Sequence, residues 1–132
     1  MRDGIVTHST VLSCDSTHCS VDSVEKARKL FGTMRVKVIT APGMDALLAG
    51  VLRPGNDAEV ARVRAQAEAT VKELDSKQCL IMGHCNCRAN PVDEETHRAQ
   101  LEFARRTVES WGLFHWVEIG IFGPDWKYAK VA

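Results

Sequence analysis

What this sequence lacks first is net charge: among 132 residues, Lys+Arg and Asp+Glu both number 17, a formal balance of +0 at pH 7. No global field is present to gather nucleic acid, an anionic membrane or an acidic substrate, so the charge balance argues for a small or neutral ligand. Aromatic residues are only 6% of the chain, the basic residues are interleaved with acids, and no stacking platform is evident. Nucleic-acid binding is excluded on those grounds. No apolar run approaches the length of a bilayer crossing, and no apolar segment follows Met1-Arg2-Asp3-Gly4, so the expected address is the cytoplasm, with no membrane partner. There is no internal repeat and no low-complexity segment. The length suits one domain, 1–132, with a core that needs no staples.

A disulfide framework is also missing. The five cysteines are an odd number, and four of them crowd into two polar clusters, Ser13-Cys14-Asp15-Ser16-Thr17-His18-Cys19 and Gly83-His84-Cys85-Asn86-Cys87. That distribution reads as metal or redox chemistry rather than scaffolding.

Apolar periodicity places both clusters at strand ends. Thr10-Val11-Leu12 is a first strand, and Ser20 to Gly32 is a short helix with Val24, Ala27, Leu30 and Phe31 on one face, capped by Ser20 or Asp22. Arg35 to Thr40 is a β-branched strand, Met44 to Val51 a short helix, and Arg53-Pro54-Gly55-Asn56 a turn. Val60, Val63, Ala67, Val71 and Leu74 mark a long helix from Asp57 to about Asp75. Gln78 to Met82 then reads as a strand covered on both faces. Asp93, Glu94 and Glu95 open another helix whose buried stripe is Leu101, Ala104, Val108 and Trp111, with His97 on its surface. His115 to Phe122 is a strand, and Trp126 to Val131 returns as an antiparallel edge.

This alternation predicts an α/β fold, a mostly parallel four-stranded sheet flanked by helices with a possible antiparallel edge strand. Parallel strands share one C-terminal edge, where ligands bind, so the two clusters are expected to meet. His84 and Cys87, three apart, can turn an imidazole and a thiolate toward one ion, and Cys14 supplies a third soft ligand. Zinc suits that set best, and three protein ligands with one exchangeable position is the catalytic arrangement.

The residues Gly83-His84-x-x-Cys87 after Leu80-Ile81-Met82, with Val11-Leu12-Ser13-Cys14 upstream, resemble the β-class carbonic anhydrases. Asn90 to His97, Ile39-Thr40-Ala41-Pro42-Gly43 and Val117 to Trp126 resemble a small, minimal branch of that family, so the resemblance runs from about Val11 onward. It implies zinc held by Cys14, His84 and Cys87, reversible hydration of carbon dioxide to bicarbonate as the reaction, and a homodimer or higher homo-oligomer. Trp111, Phe114, Trp116 and Trp126 supply apolar surface for association. The family's Asp and Arg, two and four residues after the first Cys, fall on Ser16 and His18, so that dyad is absent in register. Asp15, one place early, and His18, an imidazole whose unperturbed pKa of about 6.5 suits proton transfer, are the candidate catalytic groups. Arg88 replaces the glycine that usually follows the second Cys.

Three alternatives stay open from the residues alone. His18 or Cys19 could complete a closed structural zinc site, the four clustered thiols could form a redox switch, or another small electrophile could replace carbon dioxide.

Overall fold

The computed structural model describes residues 8–50 and 56–131. Nine elements follow in the order β1 (His8–Ser13), α1 (Thr17–Phe31), β2 (Arg35–Thr40), α2 (Met44–Ala49), α3 (Asn56–Leu74), β3 (Gln78–His84), α4 (Glu94–Ser110), β4 (Trp116–Phe122) and β5 (Tyr128–Lys130). The strands form one sheet in the order β2-β1-β3-β4-β5. The first four are parallel, and β5 pairs antiparallel with β4. The expected parallel sheet with an antiparallel edge is therefore present. The expected turn at Arg53-Pro54-Gly55 and the Val51 end of the short helix lie outside the described residues.

Side chains alternate across the sheet, which gives two cores. Leu12, Ile39, Ile81, Ile119 and Ile121 face α2, α3 and α4, where they meet Leu48, Val63, Ala67, Leu101 and Val108. Val11, Leu80, Met82 and Phe122 face the other way, with Ala27 of α1 and with Cys14, Cys19 and Cys87. β1 and β3 are buried along nearly their whole lengths, as strands covered on both faces must be. Their inward residues are fully withdrawn from water, each contributing about 1.5–3 kcal/mol of transfer free energy.

The strand order has one consequence for chemistry. From β1 the chain crosses to β2 on one side, whereas β3 continues to β4 on the other, so the boundary between β1 and β3 is a topological switch point. Loops leaving the two strands there diverge and open a crevice. Leu12 lies opposite Ile81 in the register, so Cys14 and His84 emerge side by side.

Several boundaries differ from the periodic reading. The first helix starts at Thr17, not near Ser20, because its opening turn is closed by the Ser20 N–H bond to the Ser16 carbonyl at 3.0 Å. Polar Ser16, Thr17 and His18 carry no apolar period to announce it. β3 runs on to His84 by pairing Gly83 with Ile121 and His84 with Phe122. In α3, Thr70 is buried and bonds the Gln66 carbonyl at 2.8 Å, while Leu74 at the helix end is 37% exposed. Trp111 is the half-buried C-cap of α4 and packs against the edge of the core.

Candidate metal centre

Cys14 follows β1 directly and His84 ends β3, so the switch point sets the distance between them. Cys14 Sγ lies 2.9 Å from His84 Nε2. On the other side of the ring, His84 Nδ1 is 3.0 Å from the Cys85 carbonyl oxygen. A carbonyl only accepts, so Nδ1 carries the proton and Nε2 turns its lone pair toward Cys14. This is how a second contact prepares an imidazole for a metal. The Cys14 sulfur also accepts the Ser16 N–H at 3.3 Å. Cys87 interacts with both Cys14 and His84, so all three expected ligands converge.

A fourth donor stands beside them. The Cys19 sulfur, the Cys14 sulfur and a donor nitrogen of His84 all lie within 4.8 Å of one another. Cys19 is in the first turn of α1 and fully buried, with the Ser23 hydroxyl 3.9 Å away. Asp15 and His18 are both exposed, and His18 meets the Trp126 ring edge-on at 6.3 Å. A cavity of about 430 Å³ opens over the cluster, lined by Cys14, His84 and Cys87 together with Asp15, Ser16 and Arg88. All five cysteines are free thiols.

Crowding splits the thiols electrostatically. Contact with Cys14 holds Cys19 below the ordinary thiol range. Contact with Cys19, with burial adding, pushes Cys14 up to about 11. Contact with Cys14 and burial push Cys87 up to about 12, and contact with Cys87 raises His84. Neighbouring sulfurs cannot all ionise when only one another's negative charge is near; a divalent cation among them removes that conflict. Sulfur and imidazole donors at one point fit zinc.

Two further groups hold the ligands, and the periodic reading missed both. Trp126 stacks on Phe122 at 4.7 Å and packs edge-on against His84 at 5.5 Å, while its indole N–H donates to Asp22 Oδ2 at 2.6 Å. Its backbone is left-handed, φ 61°, a conformation that costs a bulky residue energy and persists where the surroundings enforce it.

The second group corrects the expectation that His97 lies on a helix surface. His97 is fully buried, and its Nδ1 donates to Asp45 Oδ2 at 2.6 Å. Asn90 Nδ2 donates to Asp45 Oδ1 at 3.0 Å and to Gln100 Oε1 at 2.6 Å, and the Asn90 N–H bonds the Cys87 carbonyl at 3.2 Å. The loop that carries Cys87 is thus tied to α2 and α4. Gly83 is part of the same fit: a Cβ there would stand 2.9 Å from Asp45 Oδ2. The spacing held a signal for this, since His97 sits four residues before Leu101, on the same face as Ala104 and Val108.

Comparison with known proteins agrees with the geometry. The family model described as "Putative carbonic anhydrase" matches residues 6–131. The chain belongs to that carbonic anhydrase family. Its fold is similar to that of the β-carbonic anhydrase isoform I of the protozoan Trichomonas vaginalis, with a TM-score of 0.60 and 16% identity over 99% of this chain and 85% of the other. A β-carbonic anhydrase of the fungal pathogen Aspergillus fumigatus aligns with a TM-score of 0.43 and 16% identity over 94% of this chain and 76% of the other. No curated protein sequence matches. At 16% identity the likeness to the Trichomonas vaginalis protein is one of fold.

Two outcomes follow from the site's supports. His97→Ala removes the donor to buried Asp45 Oδ2 and should lower unfolding free energy by about 3 kcal/mol, measured by urea denaturation; a loss within about 0.5 kcal/mol, typical of a surface change, would return His97 to the surface reading. The thiols give a pH dependence with a definite sign. Cys14, Cys79, Cys85 and Cys87 are all raised above 9.0 in the folded chain, so the native state holds those protons more tightly than the unfolded one. Stability from them is present below pH 9 and is lost as pH rises through about 11 and 12. Thermal melts in excess chelator should therefore fall steadily above pH 9, and a flat profile would contradict the thiol cluster.

Proposed function

We propose that this chain binds zinc through Cys14, His84 and Cys87 and catalyses the reversible hydration of carbon dioxide. The observation that carries the reading is the convergence of these three donors on a cavity at the switch point, in a chain that belongs to a carbonic anhydrase family. When bound, zinc supplies a water whose pKa is lowered to roughly 7, which makes it nucleophilic at neutral pH.

The protein's own residues do the rest. His84 presents Nε2 because the Cys85 carbonyl holds Nδ1, and Trp126 fixes the ring plane. In the reaction the water oxygen bonds to the carbon of carbon dioxide, one C=O π bond opens onto oxygen, and one proton leaves. Arg88 lines the same cavity and offers a guanidinium to the bicarbonate anion. Asp15, also on the cavity wall, can accept a hydrogen bond from the attacking water, and the exposed His18 can pass the proton to solvent. These two take the place of the dyad that Ser16 and His18 cannot form.

Homodimerisation belongs to the same proposal, with the exposed Met34 and Trp116 as apolar surface for it. So does a cytoplasmic setting, which keeps clustered thiols reduced. Among the described residues no helix is long and apolar enough to cross a membrane.

Metal content and carbon dioxide hydration measured together test the reading. Wild-type protein should carry stoichiometric zinc and hydrate carbon dioxide above the uncatalysed rate, and Cys14→Ser should lose both. Hydration unchanged in Cys14→Ser would reject the site.

A further inference from the structure

Cys19 is the donor that the three-ligand scheme leaves over. We propose that it is the fourth zinc ligand, so that the resting site is a closed Cys3His centre formed by Cys14, Cys19, His84 and Cys87. This inference rests on the zinc reading above and refines it.

Position argues first. The Cys19 sulfur already lies within 4.8 Å of the Cys14 sulfur and the His84 donor. Tetrahedral zinc with Zn–S bonds of about 2.3 Å holds its sulfurs ~3.8 Å apart, so adjustments on the order of 1 Å bring Cys14, Cys19 and His84 to that spacing. That sulfur also meets the Ser23 hydroxyl at a long 3.9 Å and the Cys14 backbone.

Competition argues second. The oxygen and nitrogen donors nearest in sequence are exposed rather than packed among the sulfurs: Asp15 stands on the cavity wall, and His18 has its ring against Trp126. Ser16 occupies the place of the family's Asp, and its N–H points at the Cys14 sulfur.

Charge argues third. Three thiolates and a neutral imidazole leave one net negative charge around a divalent ion. α1 begins beside that charge, its first turn contains no acidic residue, and Ser16 makes no side-chain cap. The helix N-terminus is thereby left to stabilise the thiolates.

The arrangement has a functional consequence. Cys14, His84 and Cys87 line the cavity, whereas Cys19 is fully buried and is not among its lining residues. Four protein ligands leave no exchangeable position. Hydration therefore requires the Cys19 sulfur to give up the metal, and a variant without that sulfur has an open site from the start.

Cobalt(II) substitution reads the thiolate count directly, through the sulfur-to-cobalt charge-transfer absorbance. In Cys19→Ser that absorbance should fall by about a third per bound metal as three thiolates become two, with tetrahedral ligand-field bands retained. Cys85→Ser, which alters a neighbouring thiol outside the centre, should leave it unchanged. Hydration per bound zinc should be higher in Cys19→Ser than in wild type. Cadmium NMR of the wild type needs no variant: the shift should fall in the three-thiolate range.

Equal absorbance in wild type and Cys19→Ser, a two-thiolate cadmium shift, or a hydration rate in Cys19→Ser no higher than wild type would overturn the closed site. The first two of these would leave the three-ligand zinc reading standing. Wild-type protein that takes up cobalt with no sulfur charge-transfer band, or takes up none, would overturn both.

Discussion

The parallel pairing of β1 with β3 is the constraint on which the remaining structure depends. Both strands are buried on two faces, so their register is fixed by the need to keep Val11, Leu12, Leu80 and Ile81 out of water. Because β1 feeds β2 on one side and β3 feeds β4 on the other, nothing in the sheet fills the space above that boundary. Hydrophobic burial thus positions polar donors that contribute little to burial themselves.

Around that crevice the protein uses two kinds of support. On the α1 side, Trp126, stacked on Phe122, packs over His84, and Asp22 of α1 holds the indole through a contact between residues 104 apart in sequence. On the opposite side, Asp45, His97, Asn90 and Gln100 form a buried polar group that ties the Cys87 loop to two helices. Such a group is stable only when its members satisfy one another, since a lone buried charge or amide costs several kcal/mol. The thiols themselves repel a common ionised state, so the cluster gains most from a cation. Sheet register, aromatic packing and polar ties all converge on one place where that cation would sit.

Much of this was legible in the sequence. Strand and helix periods gave the order of elements, and the meeting of two Cys/His clusters followed from parallel topology. Cys14 and His84 stand side by side, with Cys87 in contact with both and Cys19 closing the group. Less legible was whatever depended on contacts between distant segments. His97 looked like a surface residue because Glu95, Thr96 and Arg98 flank it, yet its partner Asp45 lies 52 residues earlier and no local pattern announces it. Cys19 was one of two open fourth donors beside His18; because α1 begins at Thr17, its first turn carries Cys19 into the cluster. Trp126 read as core or edge-strand surface, since nothing in Gly123-Pro124-Asp125-Trp126 indicates a ring turned back over His84.

The most direct test is a crystal structure of the purified protein with data collected on both sides of the zinc absorption edge. The account predicts one anomalous peak between Cys14 Sγ and His84 Nε2, within bonding distance of Cys87. No peak there, or a Cys14–Cys19 disulfide in its place under reducing conditions, would contradict the claim that this switch point is a zinc centre.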